Sequence, residues 1–284
     1  MYKNTNNYLT VLIILISLLS CAPQTRFRRE ALVPSPQPPP YRGETLGKGH
    51  VEIQAQVAGS HIEEETYPNT DFFALYDDAL WVPEFMLNAS ALFGVINFLD
   101  IGGLFSYAHG SWAKRSAEGT PPMTDDGKHV FAIGPQIGAG GKFFGGKFFF
   151  GGYTSIQYVR IPWSEWEAVD VTDPNTDCYR MNDKGNDNDI YYRFAIYAGF
   201  RPTRWFAVNG GVVIHAAWKN IGFSNEDYSG STLDQTSPLI MPLIGMRFDI
   251  KPVFLETFLT FPISTYSEIS YFPLGWSAGI GLKI

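Results

Sequence analysis

Two runs of alternating side chains, joined by Lys251-Pro252, give the clearest pattern in the chain. In the first, Ile240, Ile244, Met246, Phe248 and Ile250 share one face, and Gly245, Arg247 and Asp249 the other. In the second, Val253, Leu255, Leu259 and Phe261 oppose Phe254, Glu256, Phe258 and Thr260. A period of two across a two-residue turn predicts a β-hairpin. Counting out from the turn sets Arg247 opposite Glu256, so opposite charges meet on the polar face.

The same alternation predicts eight more strands, at about residues 50–60, 84–96, 100–112, 128–142, 147–161, 190–200, 205–218 and 271–284. Glycines in the stretch GAGGKFFGGKFFFGG could host a bulge or bend between the fourth and fifth. The connections alternate in length. Those near 97–100, 143–146, 201–204 and 251–252 are short, and those near 61–83, 113–127, 163–189 and 220–237 are long, with a shorter one at 264–270. A β-sandwich gives no reason for such alternation. Transmembrane barrels do, with short periplasmic turns and longer external loops. The expected fold is therefore all-β, a ten-stranded antiparallel up-and-down transmembrane β-barrel over residues 50–284. Apolar faces meet lipid and charged faces line the interior. A soluble β-sandwich is the competing architecture. An even strand number puts both ends of the barrel on the short-turn, periplasmic side.

Composition fits this picture. Among 284 residues, charged side chains are only 17% and aromatics reach 15%, as expected when only every second strand residue is apolar. The net charge of −7 and the absence of a Lys/Arg cluster beyond Arg26, Arg28 and Arg29 argue against nucleic acid as a partner. Trp81, Trp112, Trp163, Trp218, Tyr266 and Tyr271 fall near long-loop ends and Trp205 at a short turn, as in interfacial aromatic girdles.

The N-terminal region divides in two. Residues 8–19 form an apolar run too short to span a bilayer but suited to a secretory signal. The run ends Leu18-Leu19-Ser20-Cys21, which resembles the lipobox of bacterial lipoproteins. That resemblance implies that residues 1–20 are a signal peptide, that Cys21 carries lipid, and that outer-membrane delivery is permitted by Ala22. Residues 21–49 then form a tether, with Pro34, Pro36, Pro38, Pro39 and Pro40 favouring an extended conformation. With Cys21 lipidated, Cys178 has no intramolecular disulfide partner. The last strand alternates Trp276, Ala278, Ile280, Leu282 and Ile284 with Ser277, Gly279, Gly281 and Lys283. It resembles the closing strand of bacterial outer-membrane proteins, which implies the outer-membrane insertion machinery and outer-membrane lipid as partners.

Candidate chemistry is sparse. Arg193, Arg247, Asp249 and Glu256 are expected to form a charge network in the lumen, because buried charges must pair or be hydrated. The interior of a barrel this narrow is expected to be filled by side chains. The stretch DKGNDND offers Asp183, Asp187 and Asp189 as oxygen donors of a possible cation-binding loop, without the closing Glu of an EF-hand. No Cys/His spacing suits zinc, and no cofactor motif is present. Omptin proteases place Asp-x-His near the rim, whereas His215 is preceded by Val213-Ile214. Barrel lipid A deacylases use His-x-Ser, a spacing that His109 and Ser111 share. With no further support for catalysis, the expected role is structural, surface-binding or narrow-pore, without an enzymatic activity. A rim-active hydrolase is the remaining alternative.

Overall fold

The computed structural model describes residues 27–32, 34, 44–59, 62–64, 76–115, 128–168, 179–217, 221–222, 232–233, 238–263, 270–271 and 274–284. Ten long strands carry the fold. They are β1 (Val51–Gly59), β2 (Phe85–Ile96), β3 (Leu99–His109), β4 (His129–Phe143), β5 (Phe148–Ala168), β6 (Tyr179–Thr203), β7 (Phe206–Ala217), β8 (Leu239–Ile250), β9 (Val253–Thr260) and β10 (Gly275–Lys283). Each pairs antiparallel with the next, and β10 pairs antiparallel with β1, from Ser277 opposite Ala58 to Lys283 opposite Glu52. The sheet is therefore a closed ten-stranded up-and-down barrel with no free edge among these strands, and the sandwich alternative is excluded.

The faces divide as the alternation requires. Phe248, Ile196 and Leu259 are 36%, 44% and 41% exposed on the outer wall, while Arg247, Phe254, Glu256 and Phe258 are buried inside. An outer wall of Ile, Phe, Leu and Val over a polar interior inverts the soluble-protein rule and matches a lipid-facing barrel. The outward side chains of β5 are Phe148, Phe150, Thr154, Ile156 and Tyr158, and the face turns basic at Arg160, which bounds the belt at its long-loop side.

The hairpin register is the one counted from the sequence, with Arg247 opposite Glu256 and Ile250 opposite Val253. The phase of β4 against β5 is set by Phe143 opposite Phe148. The intervening Phe144–Gly146 forms a 3-10 turn in which Gly145 and Gly146 have φ of 69° and 84°. These two glycines thus make a turn, not a bend within a strand.

Two expectations are corrected. The stretch 163–189 is not one long loop: β5 runs on to Ala168 and β6 begins at Tyr179, paired from Tyr179 opposite Ala168 downwards. The hairpin therefore projects past the apolar belt as a two-stranded extension. The second correction concerns the tether. An additional strand, Phe27–Leu32, lies antiparallel against 163–167 of that extension and parallel to a strand over Tyr76–Pro83. Residue 27 is thus at the long-loop end, whereas Ile284, bonded to Val51, is at the short-turn end. The two ends of the barrel, Val51 and Ile284, do lie together at the short-turn end; it is the segment preceding the barrel that has residue 27 at the other end. The tether segment pairs because the extension beyond β4 offers an unpaired edge of backbone donors and acceptors.

Substituting Ile196→Arg, midway along the outer face of β6, should destabilise the barrel by about 2–4 kcal/mol. Equilibrium unfolding in lipid vesicles measures this, and an unchanged midpoint would contradict a lipid-facing Ile196.

Candidate functional site

The interior is organised in layers. At the short-turn end, the β8–β9 hairpin aims Arg247, Asp249 and Glu256 inward. Closure of β10 on β1 brings Glu52 across to them. Arg247 grips Glu52 with both terminal nitrogens (Nη2 to Oε2 3.0 Å, Nη1 to Oε1 3.3 Å), and its Nε donates to Asp249 Oδ1 at 2.8 Å. Its guanidinium carbon lies 3.5 Å from the centre of the Phe254 ring. Two planar hydrogen bonds plus a ring face satisfy the geometry of a guanidinium, which an ammonium could not match. Glu256, directly opposite in register, is only a second partner at 3.6 Å and accepts from Gln54 Nε2 at 3.2 Å.

The network continues beyond the expected residues. Arg201, on β6, donates to Asp249 at 2.6 Å and to Glu44 at 2.7 Å, and Lys142 of β4 sits 2.8 Å from the other Glu44 oxygen. The backbone N–H of Leu46 donates to both carboxylate oxygens of Asp100, at 3.0 and 3.2 Å. Three cations thus interleave with the carboxylates of Glu44, Glu52, Asp249 and Glu256 and cross-link β1, β4, β6, β8, β9 and the tether.

Arg193 belongs elsewhere. It is buried in the lumen but its Nε donates to His215 Nδ1 at 3.3 Å, and Tyr191 packs edge-on against that imidazole with centroids 4.9 Å apart. The expected single network is therefore one carboxylate-rich cluster and a separate Arg–His–Tyr group. The reason is height: Arg193 and Arg247 occupy levels set by different strands, which hairpin counting does not relate.

From the short-turn end inward, large aromatic residues cover neighbouring glycines. Phe254 lies against Gly281, Phe258 against Gly245 and Phe149 against Gly199, each pair opposite in register. A Cβ at any of these glycines would collide with the ring, so each glycine provides the space in which the facing ring lies against the inner wall. Tyr153 and Tyr197 stack at 6.3 Å, and Leu46, Leu92, Met241 and Leu243 join the same cluster.

The acidic candidates lie on a strand, not a loop. Asp183, Asp187 and Asp189 are spread along β6, where Asp183 Oδ1 and Asp187 Oδ1 accept the following backbone N–H at 2.7 Å each. Among the described residues no three His, Cys, Asp or Glu converge to hold a metal. Cys21 and Cys178 lie outside the described residues. At the rim, His109 Nδ1 lies 2.7 Å from Ser111 Oγ and accepts the Ser111 N–H at 3.1 Å, with His129 packed edge-on at 4.8 Å. On the outer wall of the same end, a groove of about 670 Å³ is lined by Phe105, Tyr107, Arg160, Trp163 and Lys184, an aromatic and basic composition suited to a headgroup region.

No protein-family model matches the chain, and no curated protein matches it. Solved structures resemble it at low superposition. The translocator domain of the autotransporter NalP from Neisseria meningitidis is 10% identical with a TM-score of 0.43, over 83% of this chain and 88% of that one. The beta domain of the Bordetella autotransporter BrkA is 12% identical with a TM-score of 0.41, over 84% and 99%. The outer-membrane protease OmpT from Escherichia coli is 10% identical with a TM-score of 0.37, over 83% and 94%.

Removing Arg247 leaves Glu52 and Glu256 buried together without their cation. Arg247→Ala should therefore cost about 3–5 kcal/mol in denaturant unfolding. A loss below about 1 kcal/mol, the size of an exposed ion pair, would show that the cluster is hydrated and not structural.

Proposed function

We propose that this chain is an outer-membrane lipoprotein, anchored through Cys21, whose barrel is closed to solutes and serves as a structural or surface-binding element. The short turns and the C-terminal end face the periplasm, and the long-loop end presents the binding face. Outer-membrane lipid and the insertion machinery are its partners, the latter through the alternating closing strand 276–284. One observation carries the closed reading: inward aromatics lie across facing glycines directly beside a paired Arg–carboxylate cluster. An open pore instead needs a hydrated lumen lined by charges free to meet passing solutes. No cofactor is invoked, and the arrangement is read as non-catalytic.

In planar bilayers the purified protein should give no steady conductance steps. Intact mass measurement should show a lipid adduct that Cys21→Ala removes. Stable open channels would overturn the closed reading, and an unmodified mature chain would overturn the anchor.

A second reading, a rim hydrolase, is favoured by the 2.7 Å contact between His109 and Ser111 at the level of the outer headgroups. It requires an esterase activity on lipid substrates that Ser111→Ala and His109→Ala each abolish while His215→Ala does not. Absence of any such hydrolysis removes it.

A further inference from the structure

At the short-turn end the described carboxylates, Glu44, Glu52, Asp100, Asp249 and Glu256, all turn inward. They are held there by Arg247, Arg201, Lys142, Gln54 and the Leu46 N–H. Outside that network stand Lys48, Lys147, Arg204 and Lys251, exposed and without an ion-pair partner among the described residues. The outer surface of this end is therefore cationic, in a chain whose net charge is −7.

Each of these cations sits beside a large apolar side chain. Arg204 precedes Trp205 and Lys251 follows Ile250, in the turns after β6 and β8. Lys147 closes the β4–β5 turn, its N–H bonded to the Phe144 carbonyl at 3.4 Å. The Lys48 N–H donates to Asn97 Oδ1 at 3.3 Å, next to Phe98 in the β2–β3 turn. Phe98, Phe144, Trp205 and Ile250 are each more than half exposed, Phe144 at 81%. Phe144 also has a φ of 51°, a left-handed conformation that a bulky residue adopts only against a steric penalty. Its ring gains no burial in the protein from that conformation and stands over Phe148 on the lipid-facing wall. Apolar side chains at a turn apex gain nothing from water, but they do gain from the boundary between headgroups and acyl chains.

We propose that the short-turn end is a docking face for anionic phospholipids, whose phosphates meet Lys48, Lys147, Arg204 and Lys251 while Phe98, Phe144, Trp205 and Ile250 enter the acyl layer. Continuity with the lipid-facing wall selects this occupant. Two aromatic groups, Phe144–Phe148–Phe200 and Trp205–Phe206–Phe248, run from the wall onto the turns, with neighbouring centroids 4.9–6.3 Å apart. The layer next to acyl chains is phosphate, and the layer next to these apolar side chains is cationic. Lys and Arg stems bridge the two, with the stem on apolar surface and the head in the polar layer. Between the β8–β9 turn and the end of β10, a pocket of about 410 Å³ adds room for a headgroup, with His50, Arg204 and Lys251 beside Val253 and Ile284. An acidic soluble protein would satisfy the charges but would leave the four apolar side chains in water.

The inference deepens the reading of membrane lipid as partner and rests on it. Its test folds the full mature chain into vesicles of equal phosphatidylcholine and phosphatidylglycerol and extracts it in mild neutral detergent at low salt. Mass spectrometry then identifies the lipid that the protein retains. Phosphatidylglycerol should exceed phosphatidylcholine by at least about tenfold, since each cation near an anionic surface contributes roughly fivefold. High salt should remove the excess. So should Lys147→Gln, Arg204→Gln and Lys251→Gln together, and Lys147→Gln with Lys251→Gln should already remove most of it. Arg160→Gln with Lys184→Gln, at the other end of the barrel, should leave it unchanged. Heat-modifiable migration verifies the fold of each variant. Equal retention of the two lipids by the folded parent, or an excess that survives in the triple variant, would overturn the docking face and leave the barrel standing. A chain that enters neither these vesicles nor phosphatidylcholine vesicles would overturn the membrane reading and the inference with it. Polyglutamate that displaces phosphatidylglycerol as well as the free lipid does would mark a surface for any polyanion and overturn the lipid assignment.

Discussion

Closure of β10 onto β1 is the constraint from which the other features follow. A sheet immersed in hydrocarbon cannot leave a row of N–H and C=O groups unpaired, so the ten strands must form a ring. Once the ring is closed, strand alternation leaves each side chain two destinations, acyl chains or lumen. Glu52 is carried to Arg247 by that same closure, since the two lie on strands separated by nearly two hundred residues of chain. The ion cluster therefore reports that the ring has closed in the correct register. A slip of one residue in the β10–β1 pairing would turn Glu52 and Gln54 towards lipid and leave Arg247 with Asp249 and a distant Glu256.

The narrow ring sets a second problem, how to fill a lumen slightly too wide for side chains from one wall to meet those of the other. The protein answers it in three ways at three heights. Interleaved charges fill the short-turn end, where water can still reach the outermost groups. Tyr153, Tyr197, Met241 and Leu243 pack further in. Near the long-loop end small and aliphatic residues, Ala108, Val130, Ala132 and Val159, leave room for Ala31 and Leu32. The small inward residues at that height make sense only once the tether is counted as part of the interior packing.

The legible parts of the sequence were those in which one face meets lipid. The β8–β9 hairpin, with outward Ile244, Met246, Phe248 and Leu255, could be read to the residue, and so could the Arg247–Glu256 register. Beyond the belt the signal fails for a physical reason. From Asn182 to Asn188 no residue of β6 is buried on either face, so nothing enforces alternation, and a strand held by backbone pairing to β5 has the composition of a loop. Phe27–Leu32 is hidden in the same way: its sequence FRREAL carries no period, and its pairing is supplied by the edge it meets. Site residues followed the same divide. Arg247, Asp249 and Glu256 were within reach because one hairpin holds them, whereas Arg201, at the end of β6, and Glu44, in the tether, meet them only through tertiary closure.

This division explains why the two arginines on inward positions differ in role. Arg247 stands near the short turns, where β1 begins and residues 44–46 of the tether lie, so carboxylates from distant segments can reach it. Arg193 stands deep between Tyr153, Tyr191 and Tyr197, where the neighbouring strands offer aromatic rings and His215. A guanidinium held there without a carboxylate would be costly in a dry interior. What it meets there is the His215 imidazole, which accepts from its Nε and is itself packed against the Tyr191 ring, so this level of the interior is polar as well as aromatic.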